Sequence, residues 1–152
     1  MCGEDKIEGG RMIEEGMAVA QLLEAAGADA VHVSAGIAPS VQFTFSSSEM
    51  EECLLVDDAA HVKSCVHIPV IAVNRIMDID QAAAVIDEGK ADMVAMGRAF
   101  LADPDLIHKA LGENDEPTRR CLGCRKGCQF NVSAAGCPQN PRLGHEYEAA
   151  TL

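Results

Sequence analysis

The chain has 152 residues, 48% hydrophobic and only 3% aromatic, enough for one ordinary core and rich in small side chains that let helices pack closely on a sheet. Its formal net charge of −12, from 12 basic and 24 acidic residues, argues against nucleic acid or an anionic membrane surface as a partner. It has no run of about eighteen apolar residues to cross a bilayer, and its polar, acidic start "MCGEDKIEGGRM" is not a secretory signal.

Met12, Gly16, Val19, Leu23 and Ala26 recur at spacings of three and four, which predicts a helix that Gly27 ends. "ADAVHVS" (28–34) follows as a buried strand, within which His32 is expected to be a hydrogen-bonded core residue. Residues 35–53 are irregular; Phe43 and Phe45 alternate there and fit either a substrate pocket or an ordinary packed loop. "VDDAAHVKSCV" (56–66) predicts a second helix and "IPVIAVN" (68–74) a β-branched strand. Ile79, Ala82, Ala83 and Ile86 share the face of a third helix, stopped by Gly89, and "ADMVAM" (91–96) is a third strand. Asp103-Pro104 reads as an N-cap with proline at the first helical position, opening a helix to about Gly112.

The predicted order is α-β-α-β-α-β-α. Strands separated by helices run parallel, joined by right-handed crossovers. "GADAVHVSAG" and "KADMVAMG" form a weak internal repeat, as equivalent βα units do. Three strands are too few for a (β/α)8 barrel, which takes roughly 250 residues. The expected fold is therefore α/β: the C-terminal half of a TIM (β/α)8 barrel with a cysteine-rich loop appended. Such a half-barrel leaves a strand edge exposed, where a homo-oligomer could form.

Four of the seven cysteines, Cys121, Cys124, Cys128 and Cys137, follow the spacing C-x2-C-x3-C-x8-C, with Pro138 after the last. A Cys-x2-Cys turn places two thiolates on one metal or cluster. Gly123, Gly127 and Gly136 allow tight turns that leave peptide N–H groups free to point at sulfur. Four-cysteine zinc sites use two Cys-x2-Cys knuckles, whereas this stretch has one knuckle, single cysteines and a Cys-Pro, closer to an iron–sulfur pattern. Spacing alone leaves zinc and a redox disulfide pair open. With zinc, the segment is a structural or binding module on a flavin-free, phosphate-binding barrel. Without a secretory signal, a reducing cytoplasmic setting is expected, where clustered thiolates bind metal. Cys2, Cys53 and Cys65 have no ligand spacing.

Active sites of parallel α/β folds lie at the C-terminal ends of strands. Here those ends carry Ser34-Ala35-Gly36, Asn74-Arg75-Ile76 and Met96-Gly97-Arg98. Gly97 lets a ligand approach the backbone, and Arg75 and Arg98 place two positive charges at adjacent strand ends, a pattern suited to phosphate.

"PVIAVNRIMD", "GKADMVAMGRAFLADPDL" and "CLGCRKGCQFNVSAAGCPQNPRLGHE" together resemble consecutive segments of the NADH:flavin oxidoreductases of the Old Yellow Enzyme superfamily, in their iron–sulfur branch of dienoyl-CoA and enoate reductases. The resemblance implies strands six to eight of the barrel over residues 1–112 and an iron–sulfur extension over 113–152. It implies FMN held through Asn74, Arg75, Gly97 and Arg98, and a [4Fe–4S] cluster on Cys121, Cys124, Cys128 and Cys137. It also implies a small unsaturated acid or acyl-CoA as substrate, with FAD and NAD(P)H bound in domains beyond this segment. A catalytic histidine that some members carry after strand six corresponds here to Ser34-Ala35-Gly36, so no catalytic residue is carried over. The resemblance further implies that these 152 residues lack turnover by themselves.

Overall fold

The computed structural model describes residues 1–128 and 136–151. Strands β1 (Cys2–Glu4), β2 (Val31–Ala35), β3 (Val70–Val73) and β4 (Met93–Ala95) form one parallel sheet in the order β1-β2-β3-β4. The connecting helices are α1 (Ile13–Ala25), the short α2 (Val41–Thr44), α3 (Val56–Lys63) and α4 (Ile79–Asp87). After β4 come two short helices, α5 (Gly97–Ala102) and α6 (Leu106–Ala110). This is the parallel α/β arrangement of a partial (β/α)8 barrel. Among the described residues, no helix is long and apolar enough to cross a membrane.

Sheet register sorts the side chains into two faces. Val31 pairs with Val70, and Val33 with Ala72, which in turn faces Val94. These residues pack against Ala20 of α1, Val56, Ala59 and Val62 of α3, and Ala82 and Val85 of α4. One residue along, His32, Ile71 and Met93 line up across the opposite face, followed by Val73 with Ala95. Among the described residues no helix covers that face: His32 is exposed and Met93 is 44% exposed. His32 is thus not the core residue that a strand buried on both sides predicts. The uncovered face is the one that lines a barrel interior.

Two further expectations are corrected. The N-terminal residues, outside every predicted element, contribute β1, which makes the sheet four-stranded. Only pairing with β2 creates this strand (Cys2 with Ser34, Glu4 with Ala35). Helix α1 approaches β1 so closely that a Cβ on Gly16 would lie 2.0 Å from the Gly3 carbonyl oxygen. The second correction concerns Asp103. Its backbone is extended, as the residue before a proline must be, so it ends α5, and α6 starts only at Leu106. The N-cap signal survives in weakened form: the Asp103 carboxylate accepts the Asp105 N–H at 3.3 Å.

The main task of Asp103 is different. Its side chain is completely buried and takes two bonds from Lys109 Nζ, at 2.8 and 3.1 Å. It also accepts the Arg119 backbone N–H at 2.8 Å, and the Arg119 guanidinium lies 3.4 Å away. Burial alone would raise the carboxyl pKa, but Lys109 and the Arg119 N–H outweigh it and hold it below the usual aspartate value. Lys109 is itself only 3% exposed along its side chain, so removal of the carboxylate strands a buried cation. Asp103→Asn is expected to lower stability by about 3–5 kcal/mol in chemical denaturation. Because the folded pKa is depressed, this stabilisation is full above the ordinary carboxylate range of about pH 4 and fades as pH falls through the folded value. The variant should therefore lose part of the acid limb of the stability profile.

Candidate functional site

The C-terminal ends of β2, β3 and β4 open into one cavity of about 390 Å³. Asn74, Arg75, Gly97 and Arg98, the residues expected at a phosphate, all line it. So do Phe43 and Phe45 from the loop after β2, which settles their placement in favour of a pocket wall. Asn74 and Arg75 both adopt left-handed backbone, with φ of 87° and 55°. Two successive non-glycine residues in that region are strained, and such strain concentrates where a ligand is held. The Asn74 amide donates to the Phe43 carbonyl, while its buried Oδ1 has no partner among the described residues. A Cβ at Gly97 would meet nothing within 4 Å, so the backbone there is open to the cavity. Arg98, half-buried, donates from Nη1 to the Ser46 carbonyl at 2.6 Å.

All four clustered cysteines line a second, smaller pocket. Each is a free thiol. Cys121 is buried on a small apolar base made by Met77 and Ala102, and Cys137 packs against the same base. The Gly123 N–H points at Cys121 Sγ at 3.5 Å, the type of contact anticipated from the glycine spacing. Cys137 is fixed through Asn140, whose N–H bonds the Cys137 carbonyl at 3.0 Å and whose side-chain amide donates to the Leu101 carbonyl at 2.9 Å. Gly127 and Gly136 meet through a 3.3 Å backbone bond, bringing the chain on either side of the longer interval together. Residues 129–135 of that interval lie outside the described residues. Burial pushes the Cys128 thiol pKa up; Arg98 pulls against this, while Cys121 and Cys124 add to it.

The donor set tests which group could fit. Four thiolates on a single zinc ion each lie about 2.3 Å from it. Among the described residues, no three Cys, His, Asp or Glu side chains gather closely enough to hold one metal ion. The four thiols line one pocket beside the strand ends. Arg98, Leu101 and Cys128 line both cavities, so the two sites share a wall.

A charged clamp holds the cysteine segment over the strand ends, and no local motif announces it. Arg120 bonds Glu52 twice, at 2.7 and 2.9 Å, and Asp78 at 2.9 and 3.1 Å. Asp78 is also the N-cap of α4, accepting the Gln81 N–H at 2.9 Å. Arg120, with help from Gln81, lowers the Glu52 carboxyl to about 2. These residues are distant in sequence and have ordinary solvated-face composition, so only the fold reveals their association.

Comparison with known proteins agrees with this architecture. The sequence profile of the NADH:flavin oxidoreductase / NADH oxidase family matches residues 4–116. The chain is 38% identical to the NADH oxidase of Thermoanaerobacter brockii over 94% of its length, and 32% identical to the cinnamate reductase of Clostridium sporogenes over 95%. These alignments cover 23% and 22% of those proteins, so the chain spans under a quarter of the relatives it matches. A solved 2-naphthoyl-CoA reductase in complex with 2-naphthoyl-CoA superposes with a TM-score of 0.83 at 29% identity, over 97% of this chain and 23% of that one. Histamine dehydrogenase from Rhizobium sp. 4-9, at 23% identity, shares the fold with a TM-score of 0.79 over 96% of this chain and 21% of that one. On the profile match and these relatives, the chain belongs to the NADH:flavin oxidoreductase / NADH oxidase family.

Proposed function

We propose that the chain is part of an FMN- and [4Fe–4S]-dependent NAD(P)H oxidoreductase of the ene-reductase type, contributing the phosphate end of the FMN site and the cysteine ligands of the cluster. The observation that carries this reading is the wall of Arg98, Leu101 and Cys128 common to the strand-end cavity and the cysteine cavity. When bound, FMN supplies two-electron chemistry at an activated C=C bond, and the cluster supplies single-electron transfer. Gly97 leaves its backbone open to a phosphate, Arg98 adds a fixed positive charge, and Asn74 and Arg75 present the strained turn beside them. Cys121, Cys124, Cys128 and Cys137 are the cluster ligands. One Cys-x2-Cys knuckle followed by single cysteines and a Cys-Pro favours this assignment over zinc.

In this reading residues 1–112 are the barrel portion and residues 113–152 the cluster extension. FAD and NAD(P)H belong to regions of longer relatives outside this segment. A small unsaturated acid or acyl-CoA substrate is supported by the relatives named cinnamate reductase and 2-naphthoyl-CoA reductase. Ser34-Ala35-Gly36 offers no strong acid at the end of β2, so no residue is assigned as proton donor.

Anaerobic purification with metal analysis and absorption spectroscopy tests the cofactor assignment. Iron and sulfide are expected, with a broad band near ~400 nm that dithionite bleaches. Stoichiometric zinc in a colourless protein would overturn it. Loss of a charged bond to a phosphate is worth about 1.5–3 kcal/mol, so Arg98→Gln should weaken FMN binding about 10- to 100-fold in a flavin-fluorescence titration. Unchanged FMN affinity would remove Arg98 from the site. The uncovered sheet face leaves the strand-end cavity without an opposite wall, so the 152 residues alone should not reduce cinnamate with NADH. Steady turnover in that assay would contradict the proposed division of labour.

A further inference from the structure

We infer that the buried guanidinium of Arg75 is the counter-charge of the four-thiolate site and raises the reduction potential of the cluster held there. The inference rests on the cluster assignment above and adds a role for a residue that itself lines the strand-end cavity.

Arg75 is only 7% exposed. Its left-handed backbone lies at the end of β3, and its carbonyl accepts the Cys53 N–H at 3.0 Å. The side chain extends to the loop before α3, where Nε donates to the Glu51 carbonyl at 3.0 Å. Its far end rests against the cysteine knuckle. A Cβ on Gly123 would lie 2.4 Å from Arg75 Nη1 and 3.3 Å from Ser48 Cα. Glycine between Cys121 and Cys124 is therefore what admits the guanidinium to this position. Gly123 in turn points its own N–H at Cys121 Sγ.

The charge bookkeeping around Arg75 is incomplete within the protein. Among the described residues it forms no ion pair, and its buried Nη1 has no hydrogen-bond acceptor. The carboxylate that feels its field, Glu52, is already held twice by Arg120 and once by Gln81. A buried cation without an acceptor is strongly unfavourable, so it points to a missing anion nearby. Four thiolates carrying a cluster supply one. Net charge and hydrogen bonding near sulfur are among the factors that set the potential of such a cluster. In a chain with a net charge of −12, Arg98, Arg125 and Lys126 line the cysteine cavity, and the Arg75 guanidinium reaches it from behind Gly123, so positive charge is concentrated at this place. Reduction adds an electron to the cluster, and a fixed cation beside it favours the reduced form.

The test compares the wild-type full chain with Arg75→Lys, Arg75→Gln and Arg75→Met after anaerobic reconstitution with ferrous iron and sulfide. Midpoint potentials are read by electron paramagnetic resonance in a dithionite titration. Gln and Met should shift the potential to more negative values, while Lys stays near the wild type. In the metal-free chain, Arg75→Met should raise the thermal midpoint, because it removes an unpaired buried charge; a residue needed only for packing would lower it. If the neutral variants take up no cluster and Lys does, the requirement for charge is shown by loading instead. A wild-type potential in loaded Arg75→Met and Arg75→Gln would overturn the inference. Loss of FMN affinity at unchanged potential would do the same and make Arg75 a phosphate ligand. Wild-type protein that takes up no iron and sulfide would instead overturn the cluster assignment itself.

Discussion

Asp103 has no contact with water, yet its carboxylate stays charged because Lys109 and Arg119 surround it. The two partners come from different places: Lys109 from the last helix of the α/β unit, Arg119 from the strand of chain that leads into the cysteines. The direction in which the chain leaves the sheet is thereby fixed. Arg120 then fastens to Glu52 and Asp78, and Cys121 drops onto Met77 and Ala102. Three consecutive residues thus dock three separate surfaces. Without the first of these contacts the knuckle has no reason to sit above the strand ends. The partly exposed Arg120 clamp is the weaker constraint, since water screens both its partners; the buried pair is strongly asymmetric, costly to break from either side.

Electrostatics runs through the site against the composition of the whole chain. The acidic surplus lies elsewhere, and arginines gather where the two cavities meet. Arg98 bonds a carbonyl and lines both spaces, whereas Arg75 bonds a carbonyl and reaches the knuckle. Neither is paired with a carboxylate among the described residues, which leaves their charge available to a ligand. The strained turn at Asn74 and Arg75 is consistent with that economy of contacts, since an unstrained strand end would carry the side chain elsewhere.

Much of this could be read from local pattern. The runs 68–74 and 91–96 contain β3 and β4, the run 28–34 covers β2 except for Ala35, and the apolar spacings located α1, α3 and α4. The four spaced cysteines line one pocket, and the residues at the strand ends share a cavity. What escaped had non-local causes. Strand β1 has too few residues to show a period and exists through its partner. His32 was judged by its apolar neighbours, but a period of two puts it on the side that no helix covers. Asp103 carried a genuine capping signal, which Lys109 and Arg119 overrode. The partner of Arg75 is the missing side chain of Gly123, and no sequence pattern encodes a contact with an absence.

The one-sided cladding of the sheet also bears on thermodynamics. Ile71, Val73 and Met93 keep part of their surface in water even when folded. Unfolding then uncovers less new apolar area than in a closed domain of equal length. Heat-capacity change and denaturant sensitivity both scale with that area. The stability curve of this chain is accordingly flatter in temperature, and its denaturation transition broader, than its length alone implies.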